Sequence, residues 1–219
     1  FKVSISVAES CPNREGHNGA AVCIFCDEWG SAAYHQQREK PVREQIQINR
    51  EAIRKRYRAE KFLIYFQAYT NTFGRFRELE YFYKEALKEK DVVGIVVGTR
   101  PDCLPKRVLQ KFSEIARENY LSVELGVQTF DDAQLRFLSR GHDSASSLKA
   151  IRKLKTLPDI NLCVHLMFGL PDETDAQIRK TAEILSEQKV DGVKLHNLHV
   201  LRNTPLEKLY RESHFKPVD

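Results

Sequence analysis

The sequence predicts an α/β protein whose sheet forms a partial, open TIM-type barrel of about six parallel βα units. Short runs rich in Val, Ile, Phe and Tyr alternate with amphipathic helical stretches along all 219 residues, an order typical of a parallel sheet. Several runs have one apolar and one polar face, whereas strands covered by helices on both faces should be apolar throughout. The polar faces carry Glu, Gln, His and Lys, whereas a closed eight-stranded barrel usually fills its interior with bulky apolar side chains. We therefore expect an open barrel with a polar interior.

Six runs are predicted as strands, because each is short and rich in β-branched and aromatic residues. In chain order they cover residues 2–7, 62–70, 92–99, 121–129, 161–168 and 191–200. Successive side chains of a strand point to opposite faces, so Val193 and Leu195 of the last run are expected to face helices. The same alternation directs a polar set towards the interior: Lys2, Ser4, Ser6, Glu124, Gly126, Gln128, Cys163, His165, Lys194 and His196.

Five helices are predicted between the strands. The first two cover residues 42–60 and 77–90. Pro105 stands at the start of the third helix, where its missing N–H group costs nothing. Ser144 or Ser146 is predicted to cap the fourth helix, and the pair Thr174–Asp175 to cap the fifth. Three residues of the fifth helix are expected to point inward: Ile178, Ala182 and Leu185.

Composition indicates a soluble globular protein in a reducing compartment. Hydrophobic residues make up 42% and charged residues 30% of the chain, and no apolar run is long enough to span a membrane. Five cysteines, an odd number, argue against a disulfide framework, so we expect a cytoplasmic protein. The chain starts at Phe1 without a secretory signal, and we expect residues 1–219 to be one core domain whose natural flanks are missing at both ends.

The net charge of +5 is modest, and its densest basic stretch is residues 54–61, "RKRYRAEK". Such a stretch is more often a solvated helix face than a contact with nucleic acid.

Residues 11–26, "CPNREGHNGAAVCIFC", contain three of the five cysteines in the spacing C-x11-C-x2-C. This loop follows the first strand at its carboxyl end, where α/β folds place their sites. A structural zinc ion needs four ligands, and His17 is the candidate fourth. An iron–sulfur cluster normally takes four thiolates, so three would leave one iron open to a ligand. The spacing alone favours neither group, but a polar interior favours the open iron. A redox dithiol at Cys23–Cys26 lacks a thioredoxin-type context.

The other two cysteines lie far from the loop in sequence. Cys163 alternates within a strand and is predicted to be a small core residue. Cys103, in "TRPDC", follows the third strand and is predicted to be a passive thiol near the same end of the barrel.

Several separated motifs occur in a characteristic order: the cysteine loop, "FQAYTNT", "ELGVQT", "RGHD", "HLMFGLPDET" and "VKLHNLHVLRNTPL". Together they resemble the radical S-adenosylmethionine (SAM) superfamily, in the branch of the Elongator catalytic subunit and oxygen-independent coproporphyrinogen III oxidase. Within that branch the chain is most similar to the small bacterial YhcC-type group. The resemblance spans nearly the whole chain. It implies an enzyme, an oxidoreductase or a transferase, with a [4Fe–4S] cluster on Cys11, Cys23 and Cys26 and SAM on the fourth iron. Reductive cleavage of SAM would give a 5′-deoxyadenosyl radical that removes hydrogen from a substrate.

The resemblance also implies roles for individual residues. Phe25 would lie against the adenine or shield the cluster, or else anchor the loop in the core. Gln128 would contact SAM, and Arg140 would hold the SAM carboxylate unless it forms a surface ion pair. Glu124 needs a cation, which SAM could provide; a structural pair with Lys194 or Arg140 is the alternative.

Two departures from the family pattern bear on the SAM contacts. His165 stands where the coproporphyrinogen enzymes have an aspartate, although an imidazole can also bond a ribose hydroxyl. The usual "GGE"-like motif is replaced by "QAYTNT", whose candidate SAM contacts are Gln67, Thr70 and Asn71. Lys194 and His196 point inward, towards SAM or substrate, unless they are satisfied core groups.

The expected partners follow from the same resemblance. An external electron donor of the flavodoxin or ferredoxin type would reduce the cluster, no membrane is involved, and the substrate is unknown, with transfer RNA a candidate. The alternative is a zinc-stapled RNA-binding module without radical chemistry, which would use the basic helix. That alternative needs a fourth ligand such as His17 and leaves Glu124, Gln128 and Arg140 unexplained. A third hypothesis is that the chain is a catalytically incomplete fragment.

Overall fold

The computed structural model describes residues 1–17, 21–30 and 38–218. Its sheet has six parallel strands in sequential order, each hydrogen-bonded to the next, and forms an open half-barrel. The strands are β1 (Lys2–Ile5), β2 (Phe62–Phe66), β3 (Val92–Thr99), β4 (Tyr120–Gln128), β5 (Ile160–Phe168) and β6 (Gly192–Asn197). The predicted fold class is confirmed.

Seven helices occur in the described part of the chain, including all five that the sequence predicted. They are α1 (Val42–Tyr57), α2 (Phe76–Ala86), α3 (Lys106–Ala116), α4 (Asp132–Phe137), α5 (Ser144–Lys155), α6 (Asp175–Glu187) and α7 (Pro205–Arg211). The short helices α4 and α7 were not predicted. None of the described helices combines the length and apolarity needed to cross a membrane.

Helix ends show where the local predictions succeeded and failed. Thr174 caps α6 in a capping box with Gln177, as the sequence indicated. The cap of α5 was predicted wrongly, because Asp143 takes that position and its carboxylate accepts from the backbone N–H of Ser146 at 2.8 Å. Helix α1 ends at Tyr57 instead of residue 60, because the next residue adopts a left-handed backbone conformation with φ of 53°.

The main core lies between the outer face of the sheet and the helices. Val123, Leu125 and Val127 of β4 are fully buried there, as their alternation predicted. Large aromatic side chains such as Phe66 and Phe112 fill the space between sheet and helices. Burial of each such side chain contributes about 1.5–3 kcal/mol, so this layer is the main source of stability.

The last βα unit differs from the prediction. Val193 and Leu195 were expected to face helices, but their side chains are 44% and 64% exposed. In α6 only Leu185 is buried, whereas Ile178 and Ala182, expected to point inward, are exposed. The reason is the path after β6: α7 packs over the carboxyl end of the barrel, in a second cluster with Ile24, Leu138, Leu206 and Phe215, and not along the outside of β6.

Candidate cofactor site

A cavity of about 320 Å³ opens at the carboxyl end of the sheet. The polar faces of the strands and the loop between β1 and α1 surround it, as expected for a parallel α/β fold. All site residues that the sequence predicted line this cavity, with Asn71 the exception. The lining includes Cys11, Cys23, Phe25, Cys26, Gln67, Thr70, Glu124, Gln128, Arg140, His165, Lys194 and His196.

The three loop thiols lie close enough to influence one another. Cys11 and Cys23 are buried and Cys26 is half-buried. Burial raises the pKa of the Cys26 thiol, and the neighbouring thiols of Cys23 and Cys11 raise it further, against the opposing effect of Arg14. A site that gathers three thiols in this way is suited to a metal centre, whose positive charge would stabilise the thiolates.

The arrangement of the thiols can be compared with a zinc site. With Zn–S bonds of about 2.3 Å, the sulfur atoms of a tetrahedral site lie about 3.8 Å apart. Within the described residues, only Glu124, Cys163 and His165 form a set of three ligand atoms within 4.8 Å of one another, so the three loop thiols do not all lie within that distance. His17, the candidate fourth zinc ligand, is exposed and in an edge-to-face contact with the ring of Phe73. The thiols are therefore not arranged as a closed tetrahedral zinc site.

Side-chain donors contact two of the three thiols. Arg140 donates from Nη1 to Sγ of Cys23 at 3.4 Å, and Asn13 donates from Nδ2 to the same sulfur at 3.3 Å. Arg14 donates from Nη2 to Sγ of Cys26 at 3.7 Å. Asn13 and Arg14 were not predicted as site residues. The sequence signal was their position immediately after "CP", because donors next to a ligand cysteine can reach its sulfur.

Arg140 is held rigidly inside the cavity wall. Its side chain donates from Nη2 to the carbonyl of Gly126 at 2.8 Å, and the residue is only 6% exposed. The carbonyl of Arg140 accepts from Nη2 of Arg100 at 2.6 Å, and Arg100 forms two hydrogen bonds with Asp102. The alternative of a surface ion pair for Arg140 is therefore wrong. Its guanidinium lines the cavity, with both terminal nitrogens in contact with protein acceptors.

Glu124 lies at the centre of a charged network deeper in the cavity. Its fully buried carboxylate accepts from His165 Nε2 at 2.8 Å, from Lys194 Nζ at 3.3 Å and from Lys2. Burial alone would raise the pKa of Glu124, but these donors, together with Tyr65, lower it well below its usual range. The expected need for a cation from SAM is thus replaced by protein partners, including the predicted Lys194.

Lys2 and Tyr65 were missed as members of this network. The polar face of β1 had placed Lys2 towards the interior, but its partner was not visible in the sequence. Burial raises the pKa of the Tyr65 phenol, and the charge of Glu124 raises it further, so the phenol remains a donor. Two ammonium groups already compensate Glu124, and therefore the set formed with Cys163 and His165 does not need a metal ion.

The two cysteines outside the loop have different surroundings. Cys163 is half-buried on the inner face of β5, so the prediction of a core residue was wrong. Cys103 is buried beside Asp102, and burial raises the pKa of its thiol to about 12. Cys103 is thus protonated at neutral pH, which agrees with a passive thiol.

Four buried polar atoms of cavity-lining residues have no hydrogen-bond partner among the described residues. These are Oε1 of Gln128, Nε2 of His196, Nε of Arg140 and Nη1 of Arg100. Buried polar groups are almost always hydrogen-bonded, so orphaned atoms in a cavity indicate a place for a polar ligand. SAM has amino, carboxylate, hydroxyl and adenine groups that fit such partners. The residues present therefore fit both groups that the sequence implied, the cluster and SAM.

Of three further predicted SAM contacts, two line the cavity and one does not. Gln67 and Thr70 line the cavity after the end of β2. Asn71, expected to contact SAM, lies outside the cavity lining, because its amide donates to the carbonyls of Phe66 and Ala68 at 3.0 Å each and braces the turn. Phe25 lines the cavity and packs against the second core cluster, so the alternative role of anchoring the loop in the core is observed.

Comparison with known sequences identifies related proteins. The sequence model of the radical SAM superfamily matches residues 5–185, and that of the radical SAM C-terminal domain matches residues 190–219. Protein YhcC of Escherichia coli (strain K12) is 35% identical over 219 residues, which are 100% of this chain and 69% of that protein. A tRNA uridine(34) acetyltransferase of Methanocaldococcus jannaschii is 30% identical over 132 residues, which are 59% of this chain and 24% of that enzyme.

Solved structures share the fold. Elp3 of Methanocaldococcus infernus superposes with a TM-score of 0.69 at 19% identity, over 100% of this chain and 51% of that chain. Coproporphyrinogen III oxidase of Escherichia coli, a radical SAM enzyme, superposes with a TM-score of 0.63 at 15% identity, over 98% of this chain and 47% of that chain. The chain therefore spans about half the length of these structures, and at such identities the likeness is one of fold.

The resemblance seen in the sequence motifs is confirmed by the family match and by the half-barrel. The superfamily match covers most of the chain, including the cysteine loop, and the C-terminal match covers β6, whose side chains also line the cavity. This chain belongs to the radical SAM superfamily of enzymes.

Proposed function

We propose that this chain holds a [4Fe–4S] cluster on Cys11, Cys23 and Cys26 and binds SAM in the adjoining cavity. When bound, these two groups supply reductive cleavage of SAM and removal of a hydrogen atom from the substrate. The observation that carries the proposal is the convergence of three thiols on a polar cavity that contains a buried arginine. The chain's own residues bind and orient the reacting groups and exclude water.

The residues of the cavity have distinct tasks in this proposal. Arg140 presents a fork of donors that suits the carboxylate of SAM. Gln128 offers its unpartnered Oε1 as an acceptor for an amino group, and His165 and His196 face the cavity with ring nitrogens suited to hydroxyl groups. Phe25 covers the loop side with an apolar ring, which keeps water from the reacting centre.

The inner part of the cavity supports a substrate with an anionic group. Lys2 and Lys194 share the single carboxylate of Glu124, which leaves an excess of one positive charge around this network. The side chain of Lys194 is 37% exposed and makes the longer contact, so it can turn to a ligand while Lys2 and His165 remain on Glu124. A phosphate or carboxylate on the substrate would fit this surrounding.

We propose RNA as the substrate class, with transfer RNA as the first candidate. One support is the sequence similarity to a tRNA uridine(34) acetyltransferase, which is 30% identical over 59% of this chain. The other is the excess of positive charge in the inner cavity. The cluster would receive its electron from an external donor of the flavodoxin or ferredoxin type. Five free cysteines and an oxygen-sensitive centre would suit a cytoplasmic protein.

Anaerobic reconstitution with iron and sulfide tests the cofactor assignment. We expect about four irons per chain, no stoichiometric zinc, and a spectrum of the reduced sample that changes when SAM is added. One tightly held zinc without a stable cluster or a SAM response would establish the zinc-stapled alternative and reject the proposal.

Substrate class is tested separately by formation of 5′-deoxyadenosine from SAM in the reduced enzyme. We expect total transfer RNA to increase this formation above the level without RNA, and ribosomal RNA of equal mass to have a smaller effect. Equal rates with and without transfer RNA would reject transfer RNA while leaving the cofactor assignment intact.

A further inference from the structure

The second and third residues after Cys11 both donate to cluster-loop thiols. Asn13 is 3% exposed, and its Nδ2 lies 3.3 Å from Sγ of Cys23. Arg14 places Nη2 at 3.7 Å from Sγ of Cys26. Neither residue is a ligand, because each directs nitrogen–hydrogen donors at a sulfur atom.

The amide of Asn13 has a second task. Its Nδ2 also donates to the carbonyl of Ser139 at 2.6 Å. Ser139 has a left-handed backbone with φ of 53° and immediately precedes Arg140, which donates to the same Cys23 sulfur. One buried amide therefore connects the cysteine loop to the turn that presents Arg140.

Arg14 is fixed beside Cys26 by two further contacts. Its guanidinium donates to the carbonyl of Asp27 and lies 5.3 Å from the centre of the Tyr69 ring. A cation held over an aromatic face and tied to a carbonyl loses much of its freedom. Its positive charge is therefore held near the Cys26 sulfur in a defined orientation.

On the basis of the proposed function, we infer that Asn13 and Arg14 are positioning residues that raise the reduction potential of the cluster. Hydrogen bonds and positive charge at a ligand sulfur stabilise the reduced, more negative state of an iron–sulfur cluster. Asn13 does so through a buried neutral donor to Cys23, and Arg14 through a charged donor to Cys26. The two residues act on different sulfurs, so their effects should be separable.

Redox titration of the reconstituted enzyme, followed by electron paramagnetic resonance of the reduced cluster, tests this inference. The variants are Asn13→Ala and Arg14→Gln. Asn49→Ala, which removes an amide that donates to the carbonyl of Ser4, and Arg75→Gln, which changes an exposed arginine, are matched controls. We expect lower midpoint potentials in both variants, unchanged potentials in both controls, and similar iron content in all four.

The outcomes distinguish a failure of this inference from a failure of the cofactor assignment. Unshifted midpoint potentials in both variants, at full iron content, would overturn the inference and leave the proposed function standing. If Asn13→Ala loses its iron, the midpoint potential of Arg14→Gln alone is the test. An unchanged midpoint potential in Arg14→Gln then overturns the inference. A wild-type chain that binds no cluster would overturn the proposed function and this inference with it.

Discussion

Nη1 of Arg140 donates to Sγ of Cys23 across 3.4 Å, and so connects two residues that lie far apart in the sequence. Cys23 belongs to the loop after β1, whereas Arg140 belongs to the turn between α4 and α5. The same guanidinium donates a hydrogen bond to the carbonyl of Gly126 on β4. One side chain thus borders both the proposed cluster and the proposed SAM cavity, and the geometry of one site depends on the other.

Replacement of Cys23 by Ala should abolish cluster binding and leave the α/β fold intact. The thiol is a proposed ligand, whereas the main core lies on the other side of the sheet and does not include it. Iron per chain after anaerobic reconstitution and far-ultraviolet circular dichroism measure the two effects. Cys163→Ala is the control and should keep its iron. Full iron content in Cys23→Ala would contradict the ligand assignment.

Gln128→Ala should weaken SAM binding without loss of iron. Its Oε1 is buried, faces the cavity and has no partner among the described residues. Loss of a hydrogen bond to a charged group costs about 1.5–3 kcal/mol, which corresponds to a rise in Kd of about 10- to 150-fold. Calorimetric titration of the reconstituted enzyme with SAM measures this change. Arg140→Gln should weaken binding similarly, and unchanged affinity in both variants would remove both residues from the site.

Glu124→Leu should destabilise the fold, because it leaves the ammonium groups of Lys2 and Lys194 without their carboxylate. Removal of one partner of a buried pair costs about 3–5 kcal/mol, and partial exposure of both lysines reduces our expectation to about 2–4 kcal/mol. Lys2→Met, at a half-exposed position, should cost about 0–1 kcal/mol. Urea unfolding measures the free energy of unfolding of both variants. Equal losses of this free energy would show that the network does not depend on Glu124.

Stability should fall between pH 6.5 and pH 4 because of His142. Burial lowers the pKa of His142 to about 4, and the charge of Arg140 lowers it further against the opposing effect of Asp102. In the unfolded chain the pKa of a histidine is about 6.5, so the unfolded state binds more protons within this window. The contribution of the neutral imidazole is therefore complete above pH 6.5 and lost as pH falls towards 4.

The control for this prediction is His142→Gln, which cannot be protonated in either state. Its free energy of unfolding, measured in urea at pH 7 and at pH 5, should fall less than that of the wild type. An equal fall in both proteins would assign the acid sensitivity to other groups.

The inner face of the barrel could be predicted from the sequence because side-chain alternation is a local property of a strand. Glu124 and His165 reach the cavity for this reason, whereas Gln128 follows a register shift in β4 and has a left-handed backbone with φ of 72°. The pairing of Lys2 with Glu124 could not be predicted, since it depends on the stagger of strands that are distant in sequence. The donors on the thiols were missed for a similar reason, because Asn13 reaches Ser139 only in the folded chain.

Burial of the outer face of the sheet was less predictable, because it depends on where the chain places its helices. Val193 and Leu195 have the alternation of a buried strand face, yet no described helix covers them. At the start of α5, three neighbouring residues are all good caps, and only the backbone conformation selects Asp143. The motif resemblance also predicted Asn71 as a SAM contact, but its amide donates to backbone carbonyls of its own turn.

The sequential strand order has a consequence for how this enzyme is made on the ribosome. Each strand pairs with the one synthesised just before it, so the sheet can grow outward from β1 as the chain emerges. Cys26 emerges long before Arg140, and at about 5–20 residues per second the interval is about 6–23 s. During that time the thiols lack the arginine and the second core cluster that later enclose them. The nascent loop is thus most open to iron delivery, and to oxidation, before its protein is finished.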